Sequence, residues 1–420
     1  MVESGHQTPG EDATKGITSL GAVGAALVAL AVTVPIQSHT FAQTELPDPP
    51  PTQRTSPRLS EPRVAPVPEG QWTAEQRAVV DLYDERGDTG NVLATLLQVP
   101  ELAESVHSFL NYTSHDSGLP ARDREILILR TAWLAQNASI WSGHAAAAQS
   151  AGLTASDLRR IASGPDADGW SRGDATLLRM VDELFISSSV TDATWDAVSV
   201  HYDVPNMVDA VMTVAEFTTL SMVLNSFGVQ PDEETTFRLP TDIAYQVVVR
   251  PREPPRMRPR IDPIDGPGFR VGRTIARNSQ VSETWGGNTN YVNRQSPLVP
   301  HDRELLILRI GWNCQAEYEW AKHVGSVGRA RDHGLEPRWI AEGPESPRWE
   351  PYEVALLTAA DELYRDAIVS DETWNELSSY YDTHEMMSIV MTVSTYRFVS
   401  MTLNAFGVQL LPDDERFPGV

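Results

Sequence analysis

A single cysteine, Cys314, stands among 420 residues, so no disulfide can form within the chain. The fold must rest on its core, with one thiol left as a reactive group. Basic side chains are also scarce: 33 Lys and Arg face 57 Asp and Glu, a formal charge of −24. Such a balance repels phosphate backbones and anionic head groups, which argues against a nucleic-acid partner. Sustained alternation of apolar and polar residues is missing too, so nothing marks a half-buried sheet. What remains is 41% hydrophobic residues, enough for packed helical cores in two or three domains.

One uncharged apolar run occupies 17–34 and is followed by Thr40-Phe41-Ala42. Residues 1–42 read as a secretory signal, which implies export to a periplasm or the outside. Left uncleaved, the same run is long enough to anchor the chain and would be its one tie to a membrane. The flank departs from the usual basic start, because Glu3, Glu11 and Asp12 outnumber Lys15. Prolines recur through 43–71, where they oppose helix and strand and predict a disordered spacer.

Beyond the spacer the sequence repeats itself. Asp123-Arg124-Glu125-Ile126-Leu127-Ile128-Leu129-Arg130 returns as Asp302-Arg303-Glu304-Leu305-Leu306-Ile307-Leu308-Arg309, an offset of 179. The same offset links Trp133 to Trp312, Gly164-Pro165 to Gly343-Pro344, Asp182-Glu183-Leu184 to Asp361-Glu362-Leu363, and Asn225 to Asn404. An internal repeat of this length predicts two all-α domains, 72–232 and 266–411. A Pro/Arg-rich linker spans 233–265, with Arg250, Arg252, Arg256, Arg258 and Arg260, and a tail spans 412–420. The linker reads as a strap on the acidic body, with a local edge strand at 245–249. Between Val324 and Gly334 the second copy is three residues longer.

The chemistry gathers at the repeated segment. Histidine follows glutamate by nineteen positions in both copies, Glu125 to His144 and Glu304 to His323. On one unbroken helix, at about 100° per residue, that spacing would point the two side chains about 100° apart. A break near Asn313, a good cap for a new helix, is needed to bring them together. Glu319 and His323 stand at i and i+4, so a carboxylate is expected to orient the ring, which suits a general acid or base. Glu304 borders an apolar run, where a carboxylate is costly to bury unless paired; a salt bridge to Arg303 or Arg309 is its structural alternative. One histidine with carboxylates is no specific metal signature, and no metal or cofactor is expected. Trp312 and Tyr396 are candidates for the wall of a pocket, although aromatics at helical spacing more often serve as core.

The first copy places Ile140 and Gly143 where the second has Glu319 and Lys322. The second copy is therefore expected to be active, with Glu125 and His144 a structural or weaker site.

Arg-Glu-Leu-Leu-Ile-Leu-Arg, Glu317-Tyr318-Glu319-Trp320 with His323, the Gly-Pro turn and the closing Leu-Asn-x-Phe-Gly-Val together resemble the carboxymuconolactone decarboxylase family, whose all-helical fold is shared with alkylhydroperoxidase D proteins. The resemblance implies two tandem domains of that fold and further assembly into a ring-like trimer or similar homo-oligomer. It also implies a choice of chemistry. The peroxidase branch is similar to this chain in its glutamate and histidine but has two cysteines where Ala316 and Glu319 stand here. The decarboxylase branch lacks the thiols, and the expected function is acid–base proton transfer on a small carboxylated lactone or keto acid. His323 would shuttle the proton, Glu319 would orient it, Glu304 would act as partner acid or base, and Arg309 or Lys322 would hold the substrate anion. Peroxide chemistry at Cys314 is the second reading, and a non-catalytic ligand-binding or assembly module the third.

Overall fold

The structure, a computed structural model, describes residues 58–84, 90–232, 236–245 and 258–419. The apolar run at 17–34, Thr40-Phe41-Ala42, the spacer through 57, Arg250, Arg252, Arg256 and positions 246–249 of the expected edge strand lie outside the described residues. Every regular element among those described is helical.

The first copy is built on five main helices: α1 (Pro100–Asn111), α2 (Ala121–Ala135), α3 (Ala138–Ser150), α4 (Arg172–Ser187) and α5 (Val204–Phe227). Its α2 follows Pro120 and holds Asp123 in its first turn, where the helix dipole favours negative charge. The second copy returns four of them as α6 (Pro300–Asn313), α7 (Glu317–Val324), α8 (Pro351–Asp366) and α9 (Thr383–Phe406). Pro300 opens α6 at the position where a missing N–H costs nothing. The two longest helices begin on Asp203 and Asp382, whose carboxylates accept the amides of Asn206 and Glu385. They end on Gly228 and Gly407 in the left-handed conformation, at φ 71° and 65°, which glycine adopts without strain. By length and composition α5 could cross a bilayer, yet it is wholly buried inside the protein.

Both copies belong to one compact unit, with α5 and α9 packed against each other. The sequence repeat suggests two separable domains; the contacts tie them into a single body. Arg63 donates its amide to Phe227 O of its own copy, while its guanidinium reaches Val369 O and Asp371 of the other and lies 5.0 Å over Trp374. Arg260 does the same in reverse: its amide meets Phe406 O, and its guanidinium reaches Val190 O and Asp192 and lies 5.0 Å over Trp195. The groups contacted correspond at the offset of 179, although the two arginines do not, so the two halves clasp each other in the reciprocal manner of a twofold dimer. Residues 58–71, expected in the spacer, thus include a strap with Val64 buried, and Arg260 of the linker is a clamp.

Candidate functional site

Between α2 and α3, and again between α6 and α7, the chain reverses through a left-handed residue, Gln136 at φ 51° and Gln315 at φ 54°. The break that the spacing requires is therefore present in both copies. Asn137 caps α3 by accepting from Ile140 N. Asn313, expected to cap the second break, instead ends α6 and donates its amide to Asp361 Oδ1.

The turn folds each histidine back onto its glutamate. His323 Nδ1 lies 2.7 Å from Glu304 Oε2, and His144 Nδ1 lies 3.0 Å from Glu125 Oε2. Glu304 is 1% and His323 5% exposed. Burial pushes the Glu304 carboxyl up, but the hydrogen bond and charge of His323, with Arg303 at 3.4 Å, outweigh it and hold Glu304 below the usual range. An ionised carboxylate can only accept, so Nδ1 carries the shared proton and Nε2 is left for exchange. Tyr396 packs edge-on against the His323 ring at 4.8 Å, with its hydroxyl hydrogen-bonded to Asn293. Phe217 takes the same place on His144 at 4.9 Å.

Glu319 does not orient His323. Its Oε2 accepts from Ser400 Oγ on α9 at 2.9 Å, and Oε1 has no hydrogen-bond partner among the described residues. Burial raises its pKa well above the ordinary value; Ser400 opposes this, and the nearby charge of Glu304 adds to it. The site thus holds two carboxyl groups driven in opposite directions, Glu304 toward the ionised form and Glu319 toward the protonated form. Gly311 makes room for the second, since a Cβ there would lie 2.8 Å from Glu319 Oε1. In the first copy the corresponding residues are Ala132 and Ile140. That paired exchange of small for smaller and apolar for acidic was visible in the repeat; Ser400 and Asn293 carried no such signal.

The other expected contacts fall elsewhere. Arg309 is committed to Asp361 through two hydrogen bonds and to the carbonyls of Ile340 and Ala341, as Arg130 is to Asp182, Ile161 and Ala162. It is a framework residue and no anion holder. Lys322 pairs with Asp414 of the tail at 2.5 Å. Trp312 stacks with Trp320 and Phe417 of the tail, not on His323. Cys314 is fully buried and accepts from Ser188 Oγ of the first copy at 3.3 Å. Among the described residues no three His, Cys, Asp or Glu side chains are grouped to hold a metal. A cleft of about 200 Å³ beside Arg172, Arg179 and Thr194 includes none of the residues of either pair.

Residues 100–181, spanning Glu125 and His144, match the model of the carboxymuconolactone decarboxylase family. The match lies within the first copy. The second copy repeats the glutamate–histidine pair at the offset of 179. A solved structure described as an alkylhydroperoxidase AhpD core, an uncharacterized peroxidase-related protein from Ralstonia eutropha JMP134, is similar at 20% identity over 43% of this chain and 95% of its own, with a TM-score of 0.36. No curated protein matches.

If Arg309 is framework, Arg309→Met lowers stability and does not act through substrate affinity. Removing one partner of such a pair leaves Asp361 with the Asn313 amide alone and strips two carbonyls of their donor, a loss of about 3 kcal/mol in urea unfolding at neutral pH. A loss below about 1 kcal/mol, the range of exposed pairs, would contradict the assignment.

Proposed function

We propose that the second copy is the catalytic half of a carboxymuconolactone decarboxylase family enzyme that transfers protons on a small carboxylated lactone or keto acid. The observation that carries this reading is the buried Glu304–His323 pair with the oppositely driven Glu319 beside it. Glu304 holds the imidazole in one orientation, His323 Nε2 takes the substrate proton, and the protonated Glu319 returns one. With Arg309 and Lys322 engaged elsewhere, Arg303, whose Nε lies 3.4 Å from Glu304 Oε1, is a cation beside the pair that could also meet a substrate carboxylate.

The peroxide alternative is less well supported. Cys314 is buried, and with no second cysteine in the sequence its oxidised form has no resolving thiol in the chain. The test is turnover of a panel of lactones and β-keto acids between pH 5 and 9, beside hydroperoxide treatment followed by thiol titration. A pH-dependent rate with unchanged thiol content is expected. No turnover of any substrate in the panel, or consumption of the thiol by hydroperoxide, would overturn the proposal.

A further inference from the structure

The two pairs are built alike but covered differently. In the first copy α3 runs on past His144 to Ser150, and the His144 side chain is 18% exposed. In the second copy α7 stops at Val324, one residue after His323. The chain then turns back, with the amides of Val327 and Gly328 both directed to Lys322 O. This is where the second copy has three more residues than the first. The returning segment sets Gly328 directly against the pair: a Cβ there would overlap Glu304 Oε2, the oxygen that His323 holds, and also crowd His323 O. Its own turn is closed by the Arg329 amide donating to Gly325 O, and the Arg329 side chain lies 3.6 Å from Asp332. Gly325, Ser326 and Arg329 are exposed, Val327 is 41% exposed, and Arg329 sits at φ 47°.

We propose that residues 325–329 form a lid that decides what reaches the Glu304–His323 pair. With the lid down, the pair is closed to organic molecules. A substrate enters only when the Gly325–Gly328 segment lifts, whereas the first copy, which has no such segment, keeps its histidine open. Gly328 is the contact that sets the closed position, because only a residue without a side chain can rest on the carboxylate. Closing after entry would exclude water from the pair and preserve the desolvation that keeps Glu319 protonated. The proposal rests on reading Glu304 and His323 as the reacting pair. Its test reads accessibility alone, so the two can fail separately.

The full chain is treated with diethyl pyrocarbonate near neutral pH, and the adduct on each histidine is followed by mass spectrometry. Both histidines are bonded through Nδ1 to a glutamate, which leaves Nε2 of each for the reagent, and the lid variants compare access at His323 with His144 as the internal reference. His323 is expected to react at least about tenfold more slowly than His144, as a group does when modification needs a local opening. Gly328→Ala, and separately deletion of Ser326–Gly328, should bring His323 to within about threefold of His144 and leave the His144 rate unchanged. Equal rates in the unaltered protein would overturn the lid. So would continued protection of His323 in variants whose circular dichroism shows an intact fold, since something else would then cover the pair. If neither variant folds, hydrogen exchange decides: the Val327 and Gly328 amides should exchange faster than those of α7, and equal protection overturns the proposal.

Discussion

Glu304→Gln lowers kcat by about 10²–10⁴, the usual contribution of a positioned acid–base group, and His323→Ala does at least as much. The glutamine is nearly isosteric but carries no charge, so it neither fixes the Nδ1 proton of His323 nor stabilises the ring when it takes a second one. His144→Ala, measured on the same substrate, should leave kcat within about threefold, because the first copy has Ile140 where the second has Glu319. Equal losses from the two histidine variants would refute the assignment of the chemistry to the second copy. The pH dependence of stability gives an independent check. Glu304 is held below its ordinary pKa, so its contribution is present above that ordinary value and is lost as pH falls through the depressed one. The unaltered protein should therefore lose stability in acid more steeply than Glu304→Gln. Parallel curves would mean that His323 and Glu304 do not pair in solution.

The repeat made the framework legible, and it also held information that a single motif conceals. An offset of 179 is enough to anticipate the paired helices and the meeting of glutamate with histidine. Arg309 shows the limit of reading one copy. Next to a catalytic motif it looks like an anion holder, yet Arg130 makes the same bonds in a copy expected to be weak, which marks both as framework. The error at Glu319 has another cause. Spacing of i and i+4 places two side chains on one face, but which one turns toward a third helix depends on what that helix offers. Here α9 offers Ser400 to Glu319, and α6 offers Glu304 to His323. The turn at Gln315 was hidden because a left-handed glutamine has no compositional signature of the kind glycine provides. The reciprocal clasp by Arg63 and Arg260 lay in segments whose prolines speak only for extended chain, and composition does not reveal where an extended chain comes to rest.

Glu216→Gln should stabilise the protein at pH 8 and change it little near pH 4.5. Glu216 lies on α5, 1% exposed, with no hydrogen-bond partner for Oε2 among the described residues. Burial alone pushes its carboxyl up to about 8. In the unfolded chain it ionises near 4.5, so between those two values the folded state binds the extra proton and stability falls as pH rises. At about 1.4 kcal/mol per unit, the interval corresponds to a penalty on the order of 3–5 kcal/mol by pH 8, which glutamine does not incur. Urea unfolding of both proteins at pH 5 and pH 8 reads the difference directly. A gap that does not widen with pH would show that water or a cation reaches the carboxylate. Thr395 stands at this place in the second copy, just as Ile140 stands at the place of Glu319 in the first. Glu216 and Glu319 are thus two buried acids, on different helices, that the opposite half does not share. Only Glu319 has a hydroxyl donor and a neighbouring ionised carboxylate, so only its replacement should change the rate. Glu216→Gln should flatten the pH dependence of stability while leaving turnover at His323 as it was, separating the cost of burying an acid from its use.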